Sequence, residues 1–134
     1  VQFVHLSRGE LFRCMEMADI YISATTSDGL PVSLLEAMYF GMIPVVHTLD
    51  SLSPPIFDGE NGFLFKQLDS DAIAEASIRA VEFSKNMNHA ERQRKNRDML
   101  AHQFNRKTNL ERLVQIYEEL AREHSGNPQT RYRA

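Results

Sequence analysis

The stretch 27–41, SDGLPVSLLEAMYFG, limits the fold more than any other part of the chain. Pro31 suits the first position of a helix, where its missing N–H is not needed, and Gly41 supplies the stop. Between them Val32, Leu35, Met38 and Tyr39 are predicted to share one face, with Leu34 and Ala37 beside them. Short apolar runs at 20–24 and 44–46 flank this helix and read as strands. Pro44 is placed first in the second of them, a position from which it need not donate to the ladder. With a further strand and helix before this unit, the order strand, helix, strand, helix, strand predicts an α/β fold. A Rossmann-like parallel sheet with right-handed crossovers and flanking helices is expected.

The rest of the chain extends that pattern. Residues 1–6 read as a strand, and Ser7 as the N-cap of a helix over 8–18 with Leu11, Phe12, Met15 and Ala18 at helical spacing. Residues 25–29 form a polar loop with an Asp-Gly turn signal, and 47–55 form a Ser- and Pro-rich loop. The run DGENG at 58–62 reads as a tight turn into a strand over 63–66. After Leu68 only helix is expected. Ser70 is read as the cap of a helix with an Ile73, Ala76, Ala80, Val81 stripe, and Asn88 with Glu91 and Thr108 with Glu111 as capping boxes. Leu110, Leu113, Tyr117 and Leu120 make a stripe on the last helix, and the polar tail over 125–134 is expected to be disordered.

Asp28 and Glu36 are the only formally charged residues between Asp19 and Asp50. An ionised carboxylate in so apolar a run costs free energy unless a partner compensates it, so Glu36 needs a reason to be there. In an open parallel sheet ligands bind beyond the carboxyl ends of the strands, which points to the loops at 7–10, 25–31 and 47–53. The middle loop carries Asp28 and Gly29 and feeds a helix whose N-terminal N–H groups and dipole can receive phosphate. Glu36, further along that helix, can accept hydrogen bonds from a vicinal diol such as a ribose. Plainer readings stand beside these: Glu36 as a structural carboxylate, Asp28 as a turn or capping residue. His47, Ser51 and Ser53 are weaker candidates at the same end, while Met38, Tyr39, Phe40 and Met42 read as core.

Composition narrows the partners. The 134 residues fit one working domain, and a net charge of −3 does not suggest a nucleic-acid binder. Residues 85–112 hold eight basic and three acidic side chains without aromatic interleaving, so they read mostly as a solvated face, with contact to an anionic membrane or lipid carrier as the other reading. Cys14 is the only cysteine, which rules out an internal disulfide and a cysteine zinc site and favours a reducing, cytoplasmic setting. The five histidines show no metal-binding spacing, and no apolar run reaches the length of a membrane span.

Asp28, seven intervening residues, Glu36, then Ala37-Met38, Gly41 and Pro44-Val45-Val46 resemble the acid-x7-Glu segment of retaining glycosyltransferases of the GT-B fold, glycosyltransferase family 4 or group 1 type. ADIYIS before the segment, DGENGFLF after it and a closing helix ending IYEEL are similar to the family's C-terminal, donor-binding domain, so the resemblance runs over about residues 1–122. It implies a domain over 1–124 and a nucleotide diphosphate sugar as donor substrate, with no cofactor and no protein-bound metal. The acceptor, a saccharide or a lipid-linked one, would be held by an N-terminal domain. By the same resemblance Asp28 would orient the donor sugar and Glu36 hold the ribose, while the backbone of Gly29, Leu30, Pro31, Val32 and Ser33 approaches the sugar and diphosphate. Asp28 stands where the family usually has Glu. Pro31 replaces a common glycine, which moves the expected phosphate contact toward Val32 and Ser33. The family's donor domain begins with further strands, so the chain is expected to be part of such a domain and inactive alone. A non-catalytic binding or assembly module, and a GT-B-like phosphorylase or sugar-nucleotide hydrolase, are the alternative readings.

Overall fold

The computed structural model describes residues 5–52 and 55–125, the side chain of Ser125 excepted. Most of the expected first strand, Ser53 and nearly all of the polar tail lie outside those residues. The chain divides into two compact units, Val1–Met99 and Leu100–Ala134.

The first unit opens with α1 (Arg8–Met17), which starts where the sequence places its cap. The Glu10 carboxylate accepts from the Ser7 N–H at 2.9 Å and from its hydroxyl at 2.6 Å, while Ser7 Oγ accepts from the Glu10 N–H. This reciprocal box satisfies donors that a bare helix start leaves open. Next come β1 (Ile20–Ser23), α2 (Val32–Tyr39), β2 (Ile43–His47), a 3-10 turn (Asp50–Leu52), β3 (Phe63–Phe65) and α3 (Ser70–Ser84). Helices α4 (His89–Gln103) and α5 (Arg106–Ser125) complete the order.

The three strands pair in parallel in the order β1-β2-β3, with Ile20 opposite Ile43 and Val45 opposite Phe63. Strand alternation then sorts the side chains to two faces. Ile43, Val45, Phe63 and Phe65 pack with Ala76 and Ala80 of α3. On the α1 and α2 side, Met15, Ala37, Phe40 and Met42 form a second cluster, with Phe12, Ala18 and Tyr21 against it. The expected α/β, Rossmann-like class is what the chain adopts.

Several local readings are corrected. Pro44 is the second residue of the central strand, because Ile43 already donates to the Asp19 carbonyl at 2.7 Å. In a parallel ladder the next N–H points to the other neighbour, where pairing begins only at Val45, so the proline costs no ladder bond. Pro31 is the N-cap of α2, one position before the first helical residue. The buried face of α2 is Leu34, Ala37 and Met38, whereas Val32 is 67% and Tyr39 46% exposed. That rotation follows from packing on β2 and from the Arg97 guanidinium, which covers the Tyr39 ring at 4.3 Å. In α3 the cap is Asp69, whose carboxylate accepts from the Ala72 N–H at 2.8 Å, and Val81 faces outward. Thr108 lies inside α5, which Asn105 caps by accepting from the N–H groups of Lys107 and Thr108. Asn88 does cap α4, accepting from the Glu91 N–H at 2.8 Å.

Helix α2 ends as its glycine predicts. Gly41, at φ +87°, donates to the Met38 carbonyl, and Met42 donates back to Ala37, the paired bonds of a Schellman turn. Carbonyls at and just past this end also find partners on α4. Asn96 donates to Met38, Arg97 to Tyr39, Gln93 to Phe40 and Arg92 to Gly41. One face of α4 therefore caps four consecutive carbonyls, Met38 to Gly41, at and just past the end of α2, with two guanidiniums at the negative end of its dipole. The basic stretch expected to be mostly solvated thus contributes Arg92, only 5% exposed, to the interior.

Candidate functional site

The carboxyl ends of β1 and β2 open beside the start of α2. A shallow cleft with a cavity volume of about 10 Å³ lies there, lined by Tyr21, Ser23, Thr25, Pro31, Leu34, Val46, His47, Leu49 and Leu52. That is about the room of a single water, so the cleft is a surface indentation beside the helix start.

Helix α2 enters this region without a side-chain cap and with no acidic residue in its first turn. The other described helices spend a Ser, Asp or Asn side chain at that position. The N–H groups of Val32 and Ser33, at the first two helical positions, are left to an incoming acceptor. Ser33 is exposed, and its hydroxyl bonds the Tyr21 phenol at 2.9 Å, which fixes it to β1 at the wall of the cleft.

The two carboxylates are placed differently. Asp28 is exposed in the loop between β1 and α2, and its backbone carbonyl accepts from the Ser51 hydroxyl at 3.1 Å. That bond ties the 25–31 loop to the turn after β2, as the grouping of these loops at one sheet end predicts. Gly29 is exposed, and Leu30 and Pro31 are half-buried. Glu36 is 24% exposed and has the partner its setting calls for: Arg8 Nη2 donates to Oε1 at 2.9 Å. Its other oxygen, Oε2, meets no donor among the described residues. Neither Asp28 nor Glu36 lines the cleft; of the candidate residues Pro31 and the weaker candidate His47 do.

Arg8 escaped the sequence reading, although a local anomaly marks it. It occupies the first position of α1, where a cation opposes the helix dipole by about 0.3–1 kcal/mol. An exposed ion pair returns only about 0.2–1 kcal/mol, and Arg8 is 77% exposed. Those terms are of similar size, so the ion pair itself contributes little net stability. His47, at the end of β2, approaches the Lys66 carbonyl through Nε2 at 3.3 Å, while its buried Nδ1 lacks a partner. Among the described residues no group of three or more His, Cys, Asp or Glu side chains is arranged to hold a metal, and no helix is long and apolar enough to cross a membrane.

A parallel sheet with a loop-and-helix-start cleft at its carboxyl end defines a Rossmann-like α/β protein. The pattern of the glycosyl transferases group 1 matches residues 1–98, and the chain belongs to that family. The family moves a sugar from a donor to an acceptor. No curated protein sequence matches the chain.

Proposed function

We propose that this chain supplies the donor side of a retaining glycosyl transfer from a nucleotide diphosphate sugar to a hydroxyl acceptor. The observation that carries the reading is the open start of α2, with Glu36 on the same helix five residues after Pro31. The diphosphate would sit at the Val32 and Ser33 N–H groups, with the helix dipole stabilising its negative charge as the sugar departs. Glu36 would accept from the ribose hydroxyls and Asp28 from hydroxyls of the sugar. The bond from the sugar's anomeric carbon to the diphosphate breaks, the acceptor oxygen takes that carbon, and its proton leaves with the nucleoside diphosphate. The protein's task in this step is fixed dipoles and orientation, so no strong base is needed on these elements.

A second reading, an assembly module without catalysis, draws on one observation: Leu110, Leu113, Tyr117 and Leu120 of α5 are all exposed. A stable dimer that binds no nucleotide would support it. The proposed function is tested by incubating the full-length protein with uridine, guanosine and adenosine diphosphate sugars and hydroxyl acceptors, and reading the anomeric configuration of the product by NMR. A glycoside with the donor's configuration is expected. Inversion, or a preference for water or phosphate as acceptor, would contradict it.

A further inference from the structure

We infer that Arg8 is a positioning residue: it fixes the carboxylate plane of Glu36 so that the free oxygen is presented to a ribose diol, an assignment that rests on the nucleotide-sugar reading above. A carboxylate at the end of a glutamate side chain turns freely about its last bond, and each orientation offers a different pair of lone-pair directions. Arg8 restrains that freedom by engaging Oε1 at 2.9 Å and leaving Oε2 open. The arginine is itself braced. Its guanidinium lies over the Phe12 ring at 5.1 Å, and Phe12 packs on Phe40, just past the end of α2, with ring centroids 5.2 Å apart. One turn of α1, held by the Ser7–Glu10 box, therefore sets the direction of a side chain on α2.

A site that binds by accepting from two vicinal hydroxyls gains from acceptors held in place before the ligand arrives. Arg8 stands where the helix dipole disfavours it and where its exposed ion pair contributes little, and the group it reaches from there is the Glu36 carboxylate. A planar guanidinium suits that role better than an ammonium, whose rotating donors hold a charge but not a plane.

The test is calorimetric titration of the full-length protein with UDP, GDP and ADP, then with the 2′-deoxy form of the tightest binder, for the wild type, Arg8→Ala, Arg8→Lys, Glu36→Ala and the double variant Arg8→Ala/Glu36→Ala. Arg8→Ala should weaken the ribonucleotide about three- to tenfold and the deoxy form, which keeps only the 3′-hydroxyl, by less, so that sugar discrimination narrows. Arg8→Lys should fall between wild type and Arg8→Ala, and the double variant should bind no worse than Glu36→Ala alone. Equal loss for both nucleotide forms, or a full Arg8→Ala loss added to that of Glu36→Ala, overturns the positioning role while leaving the nucleotide reading in place. Unchanged binding in Glu36→Ala, or no binding of any of the three nucleotides by the wild type, overturns that reading and the role of Arg8 with it.

Discussion

Arg92, 5% exposed on α4, donates through Nε to the carbonyl of Gly41 at 3.2 Å, across 51 positions of sequence. The same guanidinium reaches the Met87 carbonyl and, at 3.1 Å, the Asp19 carboxylate. One side chain thus closes the end of α2, the start of α4 and the turn before β1. Together with Asn96, Gln93 and Arg97 it anchors the helix whose other end carries the proposed site.

Replacing Arg92 with alanine leaves two carbonyls to find other partners in a buried setting, while the mostly exposed Asp19 returns to water. A loss of about 2–4 kcal/mol is expected in urea denaturation. Arg92→Lys should recover little of it, because one ammonium cannot serve three acceptors in this geometry.

Gly41→Ala tests the turn itself. The residue has φ +87°, and an added Cβ would lie 2.9 Å from Gln93 Cβ and 3.2 Å from the His89 ring. Strain and crowding act together, and a loss of about 2 kcal/mol or more is expected from chemical denaturation. A loss below about 0.5 kcal/mol would show that α4 yields easily at this contact.

These two positions show what the sequence made legible. Gly41 as a helix stop, Ser7 as a cap and the parallel α/β order are local, since each follows from residue types a few positions apart. The caps that Asn96 and Arg97 place on α2 span 58 positions, and the Arg8–Glu36 pair spans 28, so which cation meets which acceptor depends on packing that no spacing encodes. The spacing puts the cap of α3 at Ser70 and the structure at Asp69, since both are good capping types and only the backbone angle chooses between them. The face of α2 was misassigned because Val32 and Tyr39 are apolar yet lie at its exposed side. Asp28 and Glu36 stood out by charge alone, whereas Arg8 was hidden among ordinary surface charges.

Glu10 supplies a pH test of α1. Its side-chain bond from the Ser7 hydroxyl, aided by the Ser7 N–H, holds its carboxyl below the usual glutamate range. A depressed folded value means that the box stabilises the helix start above the unfolded pKa and loses that contribution as pH falls through the folded one. An NMR titration should place the Glu10 midpoint below those of solvent-exposed glutamates, and Ser7→Ala should raise it. An unchanged midpoint in Ser7→Ala would remove the hydroxyl as the cause.

Asp28 separates chemistry from folding. The side chain is exposed, and the bond from Ser51 goes to its backbone carbonyl, so Asp28→Ala should move stability by no more than about 0.5 kcal/mol. If Asp28 orients the donor sugar, the variant loses turnover and discriminates less between donor sugars, while affinity for the bare nucleoside diphosphate is kept. Normal kinetics with a full set of donors would take Asp28 out of the site.

The central claim is that Glu36 holds the nucleotide's ribose, and calorimetric titration of wild-type and Glu36→Ala full-length protein with the nucleoside diphosphate tests it most directly. Loss of hydrogen bonds to a charged acceptor predicts binding weaker by about 10- to 100-fold, with the thermal midpoint little changed. Equal affinity in the two proteins would contradict the account and return Glu36 to the role of a structural partner for Arg8.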